Sequence, residues 1–112
     1  MKNELLSCCP VCGLKYEDFY PWGEKGDIPS FEVCPCCCCE YGFDDDTDAS
    51  GYNAEKYREK WLNEGAIFDN PKSKYYPQNW KLEVLKKQLL NIGVVLDRKI
   101  IVKTKKSGKL PP

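Results

Sequence analysis

Two short stretches constrain this chain more than anything else in it. One is Cys9-Pro10-Val11-Cys12-Gly13, the other the run Cys34-Pro35-Cys36-Cys37-Cys38-Cys39. Two thiolates separated by two residues curl around one ion, while backbone N–H groups of the turn point at their sulfurs and spread the charge. Proline after the first cysteine stiffens such a turn, and glycine after the second suits the positive φ found there. All eight cysteines fall within residues 8–39, and the chain has no histidine. Cys-x-x-Cys pairs and vicinal cysteines make poor frameworks for structural disulfides, so the pattern reads as metal ligation.

The second run offers two registers. Cys34-Pro35-Cys36-Cys37 repeats the Cys-Pro-x-Cys form of the first motif, whereas Cys36 to Cys39 has the spacing but not the proline. The first register is preferred, although it puts Cys38 where Gly13 stands in the first motif. A side chain held at positive φ costs on the order of 1 kcal/mol, which a four-thiolate site binding with roughly 10 kcal/mol or more outweighs. The expected site is therefore one tetrahedral ion on Cys9, Cys12, Cys34 and Cys37. With four protein ligands it has no open position, so a zinc ion there is structural rather than catalytic. Four thiolates suit iron as well as zinc. Cys8, Cys36, Cys38 and Cys39 read as small core or surface residues, with a second metal or a redox-sensing thiol as the sharper options.

The 112 residues suggest a single domain in three parts. Residues 1–43 carry the cysteines and many turn formers, with Leu14-Lys15-Tyr16 and Phe31-Glu32-Val33 as short strand candidates. Residues 44–92 read as helical. Residues 93–112 form a short strand followed by a basic tail. In the middle part, a helix is expected from about Asn53 to Glu64, closed by Gly65, with Tyr57 and Trp61 facing the core. A second is expected from about Lys81 to Asn91, with Asn79 as candidate N-cap, a stripe of Leu82, Leu85, Leu89 and Ile92, and Gly93 as stop. The acidic run Asp44 to Asp48 reads as a surface loop that complements the N-terminus of the helix after it. No internal repeat is evident beyond the cysteine pairs.

The formal charge is zero, with 17 basic and 17 acidic side chains, which argues against a surface built wholly for nucleic acid or anionic membrane. Residues 98–109 hold six basic and no acidic side chains, so a nucleic-acid contact through the tail is a secondary option. No stretch resembles a signal peptide or a membrane span, which points to the cytosol, where thiols stay reduced. Catalysis finds no foothold, for want of a histidine base or a phosphate-binding loop.

These residues also carry a resemblance. Cys-Pro-x-Cys-Gly, the Pro-Trp-Gly turn at 21–23, Pro29-Ser30-Phe31-Glu32-Val33-Cys34-Pro35-Cys36-Cys37 and Glu40-Tyr41-Gly42-Phe43-Asp44-Asp45 resemble the small bacterial cysteine-rich CPCC proteins. The likeness continues through Tyr57-Arg58, Trp61, Gly65-Ala66 and Asn79-Trp80. It implies a zinc-ribbon-like unit and no established activity. The same region is similar to rubredoxin, which has two Cys-x-x-Cys turns and an aromatic shortly after the first (Tyr16 here). That likeness implies a single iron that passes electrons.

The expectation is thus an α+β chain, a small zinc-ribbon or rubredoxin-like β unit with two helices packed C-terminal to it. Its expected role is that of a non-enzymatic zinc-binding protein acting through a protein partner. A rubredoxin-like iron electron carrier is the alternative, and a nucleic-acid-binding ribbon a weaker one.

Overall fold

The structure, a computed structural model, describes residues 4–96; the expected strand at Ile100–Val102 and the basic segment 98–109 lie outside the described residues. A 3-10 turn at Glu4–Ser7 leads into the first cysteine motif. Three helices follow the second motif: α1 Thr47–Ser50, α2 Ala54–Asn63 and α3 Leu82–Leu90.

The expected β unit is not there. Among the described residues no strand forms, and extended pairing is limited to two isolated antiparallel bridges, Cys8 with Lys15 and Val33 with Glu40. Each bridge is the neck of a cysteine turn, and the backbone on either side soon leaves the extended region. Asp18 has φ 49° and Phe31 has φ 58°, so the chain bends two residues after Tyr16 and two residues before Val33. A ladder cannot propagate through residues in the left-handed region. Leu14-Lys15-Tyr16 and Phe31-Glu32-Val33 therefore contribute single bridging residues rather than strands, and Val94–Leu96 is likewise irregular.

Both long helices stand close to where periodicity puts them. Asn53 caps α2, its side-chain oxygen accepting from Lys56 N at 2.8 Å. At the other end Gly65 N–H reaches Leu62 O and Ala66 N–H reaches Trp61 O, the paired bonds that close a helix through a left-handed residue. Gly65 (φ 110°) takes that position, and Ala66 (φ 49°) extends the turn. Its burial explains why: the chain must double back here so that Trp61 Nε1 can donate to Ile67 O and Trp80 Nε1 to Ala66 O.

α3 begins later than the candidate cap suggests. Lys81 occupies the N-cap position without a side-chain capping bond, and Asn79 lies outside the helix. Leu85 and Leu89 of its stripe are fully buried, while Leu82 packs at the edge. Trp61, Leu62 and Phe68 join them, so both helices bury their apolar faces against Val11, Leu14, Cys36 and Cys39 of the cysteine turns.

The acidic run is put to local use. Asp44 Oδ2 accepts from Glu40 N, and Asp45 takes Gly42 N and Trp22 Nε1, both at 2.7 Å. Asp46 caps α1 by accepting from Asp48 N. These bonds order the exit from the second cysteine turn.

The two candidate caps separate in a stability measurement. Asn53→Ala should lower the unfolding free energy by about 1 kcal/mol in a denaturant titration, whereas Asn79→Ala should leave it within about 0.5 kcal/mol.

Candidate metal centre

The two cysteine turns are built alike. Gly13 N–H donates to Cys9 O at 3.0 Å and Cys38 N–H to Cys34 O at 3.0 Å. Cys9 N–H donates to Leu14 O at 2.8 Å and Cys34 N–H to Cys39 O at 2.9 Å. Tyr16 N–H reaches Ser7 O, and Tyr41 N–H reaches Glu32 O. These three backbone bonds of the first turn recur 25 residues on. Tyr16 and Tyr41 are themselves equivalent, and their hydroxyls meet at 2.8 Å. The chain therefore contains an internal repeat that runs from Ser7–Tyr16 to Glu32–Tyr41, well beyond the cysteines themselves.

This repeat brings the sulfurs of Cys9, Cys12, Cys34 and Cys37 together, all within 4.8 Å of one another and all buried, as a group that could hold a metal ion. Cys9 and Cys37 sulfurs lie 3.6 Å apart, Cys12 and Cys34 sulfurs 3.7 Å. Four sulfurs at about 2.3 Å from a central ion would be about 3.8 Å apart, so the donor set has the size of a four-thiolate site. Val11 N–H points at the Cys9 sulfur at 3.4 Å, as expected for a thiolate turn.

The electrostatics lead in the same direction. Burial pushes the Cys9, Cys12 and Cys37 thiols well above their ordinary value. Burial acts against ionisation of Cys34 too, yet hydrogen bonds from Cys12, Cys37, Cys9 and Tyr41 hold it well below. Four thiolates in the same volume require a cation among them.

The repeat also gives the other cysteines their places. Cys36 is the counterpart of Val11 and Cys39 of Leu14; all four side chains are buried in the apolar core. Cys36 lies outside the sulfur group and accepts from Gln88 Nε2 at 3.3 Å. Cys8, buried, corresponds to the half-exposed Val33. Among the described residues no second cluster of ligating side chains forms.

Cys38 is the counterpart of Gly13 and adopts the same left-handed backbone, φ 64° against 82°. What differs is the surroundings. A Cβ on Gly13 would fall on the Gln88 carbonyl of α3, whereas Cys38 is exposed to solvent. Glycine is required once for backbone and space together, and in the second turn only the milder backbone cost arises.

Groups to which sequence reasoning gave no part in the site hold the turns from outside. Arg58 of α2 donates through Nε to Val11 O at 2.7 Å and through Nη2 to Pro10 O at 2.9 Å. Gln88 Nε2 reaches Cys12 O, and Asn91 Nδ2 reaches Gly13 O. On the second turn Asn70 N–H, Asp69 N–H and Tyr57 OH donate to Pro35, Cys36 and Cys37 carbonyls respectively. Aligning the two turns on their cysteines would have exposed the paired tyrosines; nothing in local sequence marks the carbonyl donors, which come from distant parts of the chain.

Two substitutions read out the inequality of the turns. Gly13→Ala should destabilise by about 2–4 kcal/mol, since strain and overlap with α3 add. Cys38→Gly should stabilise by on the order of 0.5–1 kcal/mol, because only backbone strain is relieved. Denaturant titrations of the two variants check the opposite signs.

The chain is 31% identical over 107 residues to the uncharacterised protein YozI of Bacillus subtilis (strain 168), a match covering 80% of this chain and 87% of that protein. It is 27% identical over 106 residues to the uncharacterised protein YoaQ of the same organism, covering 80% and 88%. No protein-family model matches the chain, and no solved structure matches it.

Proposed function

We propose that this chain, which belongs to the family of the Bacillus subtilis protein YozI, is a small zinc-binding protein whose single ion sits on Cys9, Cys12, Cys34 and Cys37 as a structural crosslink. The observation that carries this reading is the closure of the sulfur group: the four cysteines are between 0% and 3% exposed, so neither water nor substrate has a vertex to occupy. A divalent ion with four thiolates keeps a net negative charge, and the half-buried Arg58 guanidinium lies within electrostatic range of Cys9, Cys12 and Cys37. All eight cysteines are free thiols, the state that a reducing compartment maintains and that zinc binding needs.

The protein acts through contact with another protein rather than through chemistry of its own. No histidine is available as a general base, and the sulfur group is sealed. Phe31 and Val33 leave large apolar surface exposed beside the second turn, the kind of surface a partner covers. No helix among the described residues is long and apolar enough to cross a membrane.

Metal analysis of the purified protein should give one zinc per chain. A red protein whose visible absorption bleaches on reduction would replace zinc with the electron-carrying iron of rubredoxin. Stripping the ion with a chelator should abolish the folded circular-dichroism spectrum, since binding energies of this kind, roughly 10 kcal/mol, rival the stability of a small domain. Cys9→Ser and Cys34→Ser should lose metal and fold together. Cys36→Val, which installs the first turn's residue in the second, should retain both; loss of metal from that variant would sink the ligand register.

A further inference from the structure

The internal repeat leaves one of its two turn necks open. Val33 pairs with Glu40 as Cys8 pairs with Lys15, each an antiparallel bridge set between two backbone bonds. For Val33 those bonds are Tyr41 N–H to Glu32 O at 3.0 Å and Cys34 N–H to Cys39 O at 2.9 Å. A residue flanked in this way turns its own N–H and C=O to the opposite side, away from its bridging partner. On the first neck the chain itself covers that side: Cys8 N–H donates to Leu5 O at 3.1 Å and its sulfur to Glu4 O at 3.4 Å, both within the Glu4–Ser7 turn. On the second neck neither the N–H nor the C=O of Val33 has a partner among the described residues.

The reason is local. Ser30 N–H is taken by Pro21 O and Phe31 N–H by Tyr41 O, and Phe31 stands at φ 58°, so the residues before Val33 turn away instead of folding back over it. Val33 is left 49% exposed, where its equivalent Cys8 is 5% exposed. The open neck borders a groove of about 440 Å³ walled by Phe19, Val33, Pro35 and Tyr75, with Glu32 the one charged residue of its lining. Glu32 and Glu40 take part in no ion pair among the described residues. Lys74, which lies over the Tyr75 ring, is already paired with Glu17 at 3.3 Å. The segment that surrounds the neck is acidic: residues 17–48 hold ten carboxylates and one basic side chain, Lys25.

We propose that the Val33 neck is a docking edge for an extended, basic segment of a partner protein. The segment pairs with Val33 through its backbone, lays an aliphatic side chain against Phe19, Pro35 and Tyr75, and sets a lysine or arginine on Glu32. This names the partner chemistry of the protein-contact reading given above and rests on it. Backbone pairing on an open edge supplies affinity with little demand on sequence, while the groove and its charge select the side chains. A basic segment is selected because an acidic one would meet like charge at Glu32 and throughout residues 17–48, and like charges across an interface suppress binding.

Backbone-amide NMR of the zinc-loaded full chain tests this, with an end-capped peptide of alternating lysine and valine as probe. The peptide should shift the Glu32, Val33 and Tyr75 amide signals saturably and slow hydrogen exchange at Val33 severalfold. Its fully N-methylated form, which has no N–H to donate, should bind severalfold more weakly. Its glutamate–valine twin should not bind. Glu32→Lys, a change at an exposed side chain, should weaken the lysine peptide by roughly tenfold. The three peptides on wild-type protein decide the matter even if that variant fails to fold. No saturable shift at Val33, or equal binding of the glutamate twin or of the N-methylated form, overturns the edge. Shifts confined to residues away from Glu32, Val33 and Tyr75 keep the protein-contact reading and overturn this edge as its site. A Val33 amide already protected without peptide points to another occupant and overturns the partner assignment. Loss of that protection on dilution identifies a second copy, and loss in Ile101→Asp identifies the chain's own basic segment. The zinc content of the same sample reports on the metal reading separately.

Discussion

Everything else in this molecule answers to four sulfurs buried within 4.8 Å of one another. A protein interior tolerates such a cluster only if its charge is cancelled and the polar backbone that forms it is satisfied. The tight cysteine turns use their own N–H groups internally, which leaves their carbonyls facing outward. Those carbonyls cannot be left bare in a packed core, and the C-terminal half supplies the donors: Arg58, Tyr57, Gln88, Asn91 and the backbone of Asp69 and Asn70. The helices are thus more than an apolar lid. They complete the hydrogen bonding of the turns they cover, and neither half has a satisfied surface without the other.

The two turns are equivalent in backbone and unequal in environment. α3 lies directly on the first turn, where a side chain at Gly13 has no room. The second turn is held from one side by residues 69–70 and leaves Cys38 in solvent. Duplicated local structure with divergent packing explains an otherwise odd composition. The second turn fills its equivalents of valine, glycine and leucine with cysteine in each case, and two of those three side chains simply behave as small apolar groups in a core.

The grouping of these thiols could be read from spacing alone, because two Cys-Pro-x-Cys motifs specify their own turn geometry without help from the rest of the chain. The helices could be read too, since their apolar periodicity and their glycine stops are local signals; Gly65 and Gly93 end them where expected. The β unit could not. Short runs such as Phe31-Glu32-Val33 have strand composition, but whether a bridge grows into a ladder depends on the residue two positions away, and a phenylalanine at φ 58° gives no sequence signal. Asn79 misled for a related reason: Trp80 is committed to the Ala66 carbonyl, which delays the start of α3 past the residue best able to cap it. The clamps on the turn carbonyls were illegible because they join residues 20 to 78 positions apart, where local patterns say nothing.

That long-range character has a consequence for how the protein responds to its ion. In a ribbon stabilised by its own ladder, loss of metal loosens two loops and leaves a sheet behind. Here only single bridges close the turns, so the turns have little to hold them except the sulfur group and the clamps. If the sulfurs part, Pro10, Val11, Cys12 and Gly13 carbonyls move away from Arg58, Gln88 and Asn91, and the inner faces of α2 and α3 lose the surface they pack against. Cooperativity between the cysteine turns and the helices follows from this wiring, because the buried side chains of α2, α3 and both cysteine turns belong to one core cluster.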